Sequence, residues 1–141
     1  MPPDTDRDPN RPIQIDGLAE VVLNVRDVAA ALRFYRDLLG LQPISPLNGP
    51  GPIFLRAGSA TDDLPALVVL VPLPTGAAKF SSPRPLHHLA LATAAAAFDA
   101  AHDALVRAGF AVRTGQHPVL PSRTMYVDDP DGNEVELIAP A

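Results

Sequence analysis

Glu20 is a carboxylate in the middle of an apolar segment, GLAEVVLNVRD, which has the pattern of a β-strand that runs into a helix cap. Such a residue either lies on the solvent-facing side of its strand or points into a site that requires a charge. His88 stands in a similar segment, LHHLALAT, where a single histidine is usually a hydrogen-bonded core residue. Glu136 lies near the end of the chain, and Glu134 shares its strand face. The spacing of these residues decides whether they belong to one site.

The first half of the chain has the pattern of a strand and a helix followed by further strands. Residues 15–25 are strand-like, and Asp27 is a good N-cap for a helix that Gly40 ends. Short strands are predicted over residues 53–56 and 67–71, with turn-rich loops between them.

The same order returns after a Pro-rich segment, residues 73–85, which is typical of a linker. A strand is predicted over residues 87–92, with His87 and His88 on opposite faces. Thr93 is the expected cap of a second helix, which Gly109 ends.

An alignment of the two halves places Glu20 opposite His88 and Val68 opposite Glu136. The interval from Glu20 to Val68 equals the interval from His88 to Glu136. This equality indicates a duplicated strand-helix-strand-strand-strand unit, with modules over residues 15–72 and 86–141.

The composition narrows the class of protein. A chain of 141 residues, 47% hydrophobic, is enough for one domain with a core. The net charge of −5 gives no reason to expect nucleic acid or anionic lipid as a partner, and no apolar run is long enough for a membrane span. The chain has no cysteine, and its start lacks the apolar core of a signal peptide, which predicts a cytoplasmic location. Residues 1–14, charged and Pro-rich, are expected to form a disordered tail.

Three segments resemble the vicinal oxygen chelate superfamily of glyoxalase I, extradiol dioxygenases, fosfomycin-resistance enzymes and bleomycin-binding proteins. They are FYRDLLG in the first helix, HHLAL in the second module and DDPDGNEVEL near the end. The resemblance covers residues 15–140 and implies an α+β fold. In that fold two tandem βαβββ modules form an open, barrel-like sheet around a cleft, usually in a homodimer that binds a small molecule.

The resemblance also implies a metal site. Superfamily members that bind a divalent metal take ligands from the first and last strands of both modules, positions that correspond here to Glu20, Val68, His88 and Glu136. Val68 cannot ligate. An imidazole and two carboxylates suit Fe, Mn, Zn or Ni, and three protein ligands leave coordination positions open for substrate.

Two further residues resemble the extradiol-dioxygenase branch. His117 and Tyr126 stand where that branch has a histidine and a tyrosine that hydrogen-bond the substrate and the intermediate. Arg123 is a candidate anchor for an anionic oxygen. The alternative for Tyr126 is ordinary strand packing, and for His117 a solvated loop position.

The branches make different demands on the same positions. Glyoxalase I uses four metal ligands, so Val68 argues against that lyase activity. Extradiol dioxygenases take no ligand from the position of Val68, but they have a histidine ligand where Glu20 stands. The sequence therefore favours a metal-dependent, dioxygenase-like enzyme that acts on a substrate with vicinal oxygens. A glyoxalase-like or fosfomycin-type enzyme and a non-catalytic, bleomycin-resistance-like binder are the alternatives.

Overall fold

The computed structural model of the chain describes Asn10, Pro12 and residues 15–81 and 84–141. The tail predicted over residues 1–14 therefore lies outside the described residues, except for those two positions. The predicted linker is described apart from residues 82 and 83, and it contains no helix or strand in that part. No helix of the described segments has the length and apolar character that crossing a membrane requires.

The first module contains one helix and four strands. They are β1 (Glu20–Val25), α1 (Val28–Leu32, which continues with wider winding over Arg33–Leu38), β2 (Gln42–Pro43), β3 (Ile53–Ser59) and β4 (Pro65–Pro72). The second module repeats this order. Its elements are β5 (Leu89–Ala92), a single 3₁₀ turn (Ala95–Ala97), α2 (Phe98–Arg107), β6 (Arg113–Gly115), β7 (Ser122–Asp128) and β8 (Glu134–Pro140).

The two modules form two sheets with the same topology. The strand orders are β1-β4-β3-β2 and β5-β8-β7-β6, in which the first strand of each module pairs parallel with the last and all other pairs are antiparallel. Strands β1 and β5 are each an edge of their sheet, and the sheets do not close into a barrel. The predicted fold, two βαβββ modules with an open sheet, is confirmed.

The helix ends follow the predicted signals in three of four places. The Asp27 carboxylate accepts a hydrogen bond from the amide of Ala30 at 3.1 Å, so Asp27 is the N-cap of α1. Gly40 and Gly109 have φ angles of +77° and +91°, the left-handed conformation that glycine adopts without strain. Thr93 is not a cap, because the 3₁₀ turn precedes α2 and Ala94 stands at its start without a side-chain hydrogen bond.

Strand alternation divides each sheet into a helix-covered face and an opposite face. In β1, Leu23 and Val25 are buried, whereas Glu20, Val22 and Asn24 are exposed. In β8, the helix-covered face carries three core residues (Val135, Leu137, Ala139). Buried side chains of both modules form one apolar cluster, so neither module has a separate core.

The duplicated pattern predicts that Val68 shares a strand face with Glu20, but it lies on the opposite, helix-covered face. It pairs with Val21 in register, belongs to the helix-covered apolar cluster and is 2% exposed. Residues that pair across parallel strands share a face, and Val69 is the β4 residue that pairs with the outward-facing Val22. In the second module Glu136 pairs in the same way with Ala90. The structural counterpart of Glu136 is therefore Val69, which is also unable to bind a metal.

Candidate metal centre

His88 and Glu136 meet at the open edge of the second sheet. Leu89 pairs with Val135 and Ala90 with Glu136, so His88 precedes β5 on the face that Glu136 occupies in β8. The His88 Nε2 atom lies 3.2 Å from Oε2 of Glu136. The side chain of His88 is 34% exposed and that of Glu136 only 4%, so the pair joins a reachable imidazole to a buried carboxylate.

Tyr126 is the second partner of Glu136. The two residues are directly opposite each other in the β7–β8 pairing, and the Tyr126 hydroxyl donates to Oε1 of Glu136 at 3.3 Å. The Tyr126 ring also stands edge-on to the His88 ring, with 6.1 Å between centroids. Each oxygen of Glu136 thus has one neighbour, His88 or Tyr126.

This arrangement fits a divalent cation. A carboxylate offers about four lone-pair sites, and a buried charge is costly unless it is paired. Glu136 has two neighbours in the described structure, which leaves acceptor capacity on both oxygens. A buried carboxylate beside a reachable imidazole is a donor set that Fe, Mn, Zn and Ni accept.

Glu20 shares a cleft with His88 but does not contact it closely. A cleft of about 360 Å³ is lined by both residues and by mostly aliphatic side chains of β1, β4 and β5. In the described part of the chain, a single group of three metal-ligating side chains has its ligand atoms all within 4.8 Å, and Glu20 is not a member. The structure therefore brings His88, Glu136 and Tyr126 together, and it places Glu20 at the same cleft without completing the predicted triad.

The group of three consists of His87, His88 and Glu134. Strand β5 begins at Leu89, so His87 lies before the strand and is not held on the opposite face, contrary to the sequence prediction. Its Nδ1 lies 2.7 Å from Nδ1 of His88, with the two rings edge-on at 5.0 Å. Strand alternation cannot predict this contact, because alternation ends where the strand ends.

His117 lies in the loop between β6 and β7. Its Nδ1 accepts hydrogen bonds from the backbone amides of Val119 and Leu120, at 3.1 and 2.9 Å. The ring therefore orders its own loop, and no hydrogen bond joins it to His88 or Glu136 in the described structure. A role of His117 at the metal centre stays a prediction.

Arg123 is not at the cleft. Alternation along β7 places it on the helix-covered face, where its guanidinium donates to Asp99 of α2 at 2.8 Å and lies 4.3 Å from the ring centroid of Phe98. Arg123 therefore connects β7 to α2 through an ion pair and a cation–π contact. The same ion pair holds the pKa of Asp99 below its ordinary value through the hydrogen bond from Arg123.

Thr124 is a residue that the sequence did not single out. It is 2% exposed, it shares the strand face of Tyr126, and its Oγ1 has no hydrogen-bond partner among the described residues. Buried hydroxyls usually have a partner. Thr124 lies two residues before Tyr126 in β7, so strand alternation predicts that both side chains share one face.

Two βαβββ modules with open sheets define a class of α+β proteins, and in this chain an imidazole that lines a cleft contacts a buried carboxylate. The chain belongs to the Glyoxalase/Bleomycin resistance protein/Dioxygenase superfamily, whose family model matches residues 17–137. Members of this superfamily bind small-molecule substrates, typically with a divalent metal, and often form dimers. No curated protein sequence matches this chain.

Solved structures share the fold at low sequence identity. A glyoxylase/bleomycin resistance protein/dioxygenase domain from Frankia sp. EAN1pec has a TM-score of 0.70 and 23% identity, over 91% of this chain and 94% of that one. A glyoxalase/dioxygenase from Nostoc punctiforme has a TM-score of 0.69 and 23% identity, over 93% and 95%. The fosfomycin resistance protein FosX from Listeria monocytogenes has a TM-score of 0.64 and 16% identity, over 91% and 96%.

Proposed function

We propose that the protein is a divalent-metal-dependent enzyme of its superfamily, closest to the dioxygenase-like branch, that acts on a small substrate with vicinal oxygens. The contact between His88 and Glu136, at a cleft that Glu20 also lines, is the observation that supports this proposal most directly. His88, Glu136 and Glu20 would hold the metal. When bound, it would supply a Lewis acid that stabilises the anion developing on the substrate oxygens.

The side chains around this centre have separate tasks. The single O–H of Tyr126 donates to Oε1 of Glu136, and in the proposed enzyme it would turn from Glu136 to a substrate oxygen. Since Nδ1 of His117 accepts two backbone hydrogen bonds, the neutral ring carries its proton on Nε2. His117 would therefore act as a hydrogen-bond donor to substrate, the role that the family resemblance implies.

The cleft sets the size and polarity of the substrate. Its volume of about 360 Å³ is at the lower end of the range for small-molecule sites. Aliphatic side chains line most of it (Leu18, Val21, Leu67, Leu86, Leu89, Leu91). A substrate with an apolar body and two adjacent oxygens at one end fits these walls.

Metal binding tests the proposal before any substrate is known. In anaerobically purified protein we expect one Fe, Mn, Zn or Ni per chain, and in Glu136→Gln at least tenfold weaker binding of that metal. Asp103→Asn is the matched control, because it neutralises an exposed carboxylate that also pairs with a histidine, His102. If Glu136→Gln binds the metal as tightly as the control, the proposed centre is wrong.

A non-catalytic binder is the second candidate, and the aliphatic walls of the cleft favour it. In that case the cleft sequesters a drug or metabolite without chemistry. Calorimetry with a bleomycin-type glycopeptide distinguishes the two functions. Micromolar binding by the metal-free protein, equal in wild type and Glu136→Gln, would support the binder and exclude a metal-dependent role.

The proposal includes a homodimer. Val22, at 53% exposure, is an apolar residue on the open face of β1, and Leu18 just before the strand is 72% exposed. Exposed aliphatic side chains at an open sheet edge are typical of a surface that a second subunit covers. Sedimentation equilibrium is expected to give twice the mass of the chain.

A further inference from the structure

The ring of His88 lies between two donor sets, and the structure places a different ring nitrogen toward each. Nε2 lies 3.2 Å from Glu136, whereas Nδ1 lies 2.7 Å from Nδ1 of His87. The inner set is the proposed centre. The outer set consists of His87, His88 and Glu134, whose ligand atoms all lie within 4.8 Å of one another.

The geometry points to a second metal site in the outer set, formed by Nδ1 of His87, Nδ1 of His88 and the carboxylate of Glu134, which binds a borderline transition metal such as Zn, Ni or Cu. Two imidazoles and one carboxylate are the donors that these ions prefer, and they are richer in nitrogen than the inner set. The site rests on the described contacts and does not depend on the proposed catalytic function.

The fold supplies these three donors from the first residue of β8 and from the two residues that precede β5. Leu89 and Val135 are paired, so the residues before them, His88 and Glu134, approach each other at the entrance to the β5–β8 pair. His87 is outside the strand and its ring returns to His88, with an angle of 71° between the planes. Because His87 is exposed, a hydrated ion can reach the outer set directly from solvent.

Arg113 competes for Glu134 without blocking it. The guanidinium donates to Oε2 of Glu134 at 3.2 Å and to Asp128 at 2.9 Å. These two carboxylates together hold the pKa of Arg113 above its ordinary value, chiefly through the hydrogen bond to Asp128. The Arg113 contact uses Oε2, and Oε1 of Glu134 remains for a cation.

A single proton on His88 makes the two sites alternatives. A neutral imidazole has one N–H and one bare nitrogen, and only the bare nitrogen binds a metal. With the proton on Nε2, His88 donates to Glu136 at the observed 3.2 Å and Nδ1 is free for the outer site. With the proton on Nδ1, His88 donates to His87 at the observed 2.7 Å and Nε2 is free for the inner site. Occupation of one site therefore opposes occupation of the other.

Copper alone is a suitable probe, because the electron paramagnetic resonance spectrum of Cu²⁺ counts imidazole nitrogens. The chelator-treated full chain receives one equivalent of CuCl₂, and affinity is measured by competition with a chelator of known strength. The outer site has two imidazole nitrogens and the inner site one. In Glu136→Gln, where the inner carboxylate is lost and the amide oxygen still accepts from His88, we expect the two-nitrogen spectrum.

Two variants and a control then identify the outer donors. In the Glu136→Gln background, His87→Gln is expected to remove one nitrogen from the spectrum and weaken copper binding at least tenfold, and Glu134→Gln to weaken it at least tenfold. His102→Gln, which removes an exposed histidine on α2, is expected to change the affinity less than twofold. Far-ultraviolet circular dichroism verifies that each variant is folded.

The outcomes separate the outer site from the proposed function. If Glu136→Gln binds no copper, or if a two-nitrogen spectrum survives His87→Gln, the outer site is refuted. Wild-type protein with a one-nitrogen spectrum that Glu136→Gln abolishes would leave the inner centre intact and exclude the outer one. Conversely, wild-type protein that binds copper as tightly as Glu136→Gln, with two nitrogens in both, supports the outer site and contradicts the inner one.

Discussion

Glu136 is the best-supported residue of the site, and its neighbours explain why. It is 3% exposed, and a carboxylate in that position must have partners that offset the loss of water. Tyr126 and His88 supply one partner for each oxygen. A residue that is both buried and incompletely coordinated is where a cation gains most from binding.

Tyr126→Phe tests the contribution of the tyrosyl hydroxyl. The change removes the donor to Oε1 of Glu136 and keeps the ring against His88. Under the proposed dioxygenase-like function, we expect kcat for oxidation of a catechol to fall about tenfold or more, as for loss of one donor to a developing anion, and the metal affinity to change less than about threefold. Oxygen consumption measures the rate. An unchanged kcat with weakened metal binding would assign Tyr126 to metal retention alone.

Asp131→Asn tests a carboxyl group whose ionised form is destabilised by burial. Burial raises the pKa of Asp131 above its ordinary value of 3.8, against a hydrogen bond from the backbone amide of Arg26. The folded protein therefore binds this proton more tightly than the unfolded chain, and stability from this group falls as pH rises above 3.8.

An asparagine keeps the acceptor for Arg26 and has no charge to bury. We expect Asp131→Asn to raise Tm by about 1–3 °C at pH 7. The difference is expected to disappear at pH 3, where the wild-type carboxyl is protonated. A Tm difference that is the same at both pH values would show that the charge of Asp131 is not responsible.

At the residue scale, the sequence predicted some of the contacts between the candidate site residues and missed others. The contact between His88 and Glu136 was predictable from their matched positions in the duplicated pattern and the family resemblance, and Tyr126 from the resemblance alone. The grouping of His87 and Glu134 with His88 was not predicted, since the contact of His87 with His88 depends on where β5 begins. Arg123 was predicted wrongly, since it lies on the face of β7 opposite to Tyr126, where it pairs with Asp99.

The element scale shows how far the duplication determines the structure. Element order, sheet topology and the helix-ending glycines follow from the repeated pattern. The strand register does not follow from the repeated pattern. A one-residue difference in register moves a side chain to the other face of the sheet, as it does for Val68 and Val69. The winding of α1 was also not predictable: the amide of Leu39 bonds to the carbonyl of Phe34, five residues back, which a 3.6-residue apolar period does not indicate.

Gly115→Ala tests how β6 supports the site. Gly115 pairs with Thr124 on β7, and a Cβ atom at this glycine would lie 2.8 Å from Cε2 of Tyr126 and 3.4 Å from Oγ1 of Thr124. The absent side chain thus allows the Tyr126 ring to lie across β6. We expect the alanine to displace that ring, to lower kcat about tenfold and to destabilise the fold by about 1–3 kcal/mol.

Gly51→Ala is the matched control for that variant. Gly51 lies in a loop, has no positive φ, and a Cβ atom there would meet nothing within 4 Å. We expect wild-type kcat and stability from it. Urea unfolding measures the stability of both variants, and catechol turnover tests kcat under the proposed function. If Gly115→Ala is unaltered in both, the Tyr126 ring accommodates the methyl group.

At the scale of the whole molecule, the two modules are joined by buried polar contacts as well as by the shared apolar core. The hydroxyl of Tyr35, from the first module, donates at 2.5 Å to Asp129 in the β7–β8 turn, and both side chains are buried. Arg84 reinforces the turn by donating to the carbonyl of Asp131 and to Asn133. The DPDGN segment was predictable as a hairpin turn, but its bond to Tyr35 was not, because it joins residues distant in sequence.

Both carboxylate oxygens of Asp129 accept hydrogen bonds in this turn. Besides Tyr35 it accepts from the backbone amides of Asp131 and Asn133 and from the Asn133 side chain, at 2.8–2.9 Å. Burial, and next the charge of Asp129, raise the pKa of Tyr35, so the phenol keeps its proton and remains a donor. The turn thus ties the end of α1 to the strand that carries Glu136.

Tyr35→Phe measures this connection between the modules. We expect a loss of about 1.5–3 kcal/mol in the free energy of unfolding, the range for a hydrogen bond to a charged partner, measured by urea denaturation. Tyr126→Phe, at the other tyrosine of the chain, removes a hydroxyl with a longer 3.3 Å contact and is expected to cost less than about 1 kcal/mol. A double-mutant cycle with Asp129→Asn should give a coupling of at least about 1 kcal/mol. If the cycle is additive within error, the hydroxyl does not join the modules and the shared apolar core alone holds them together.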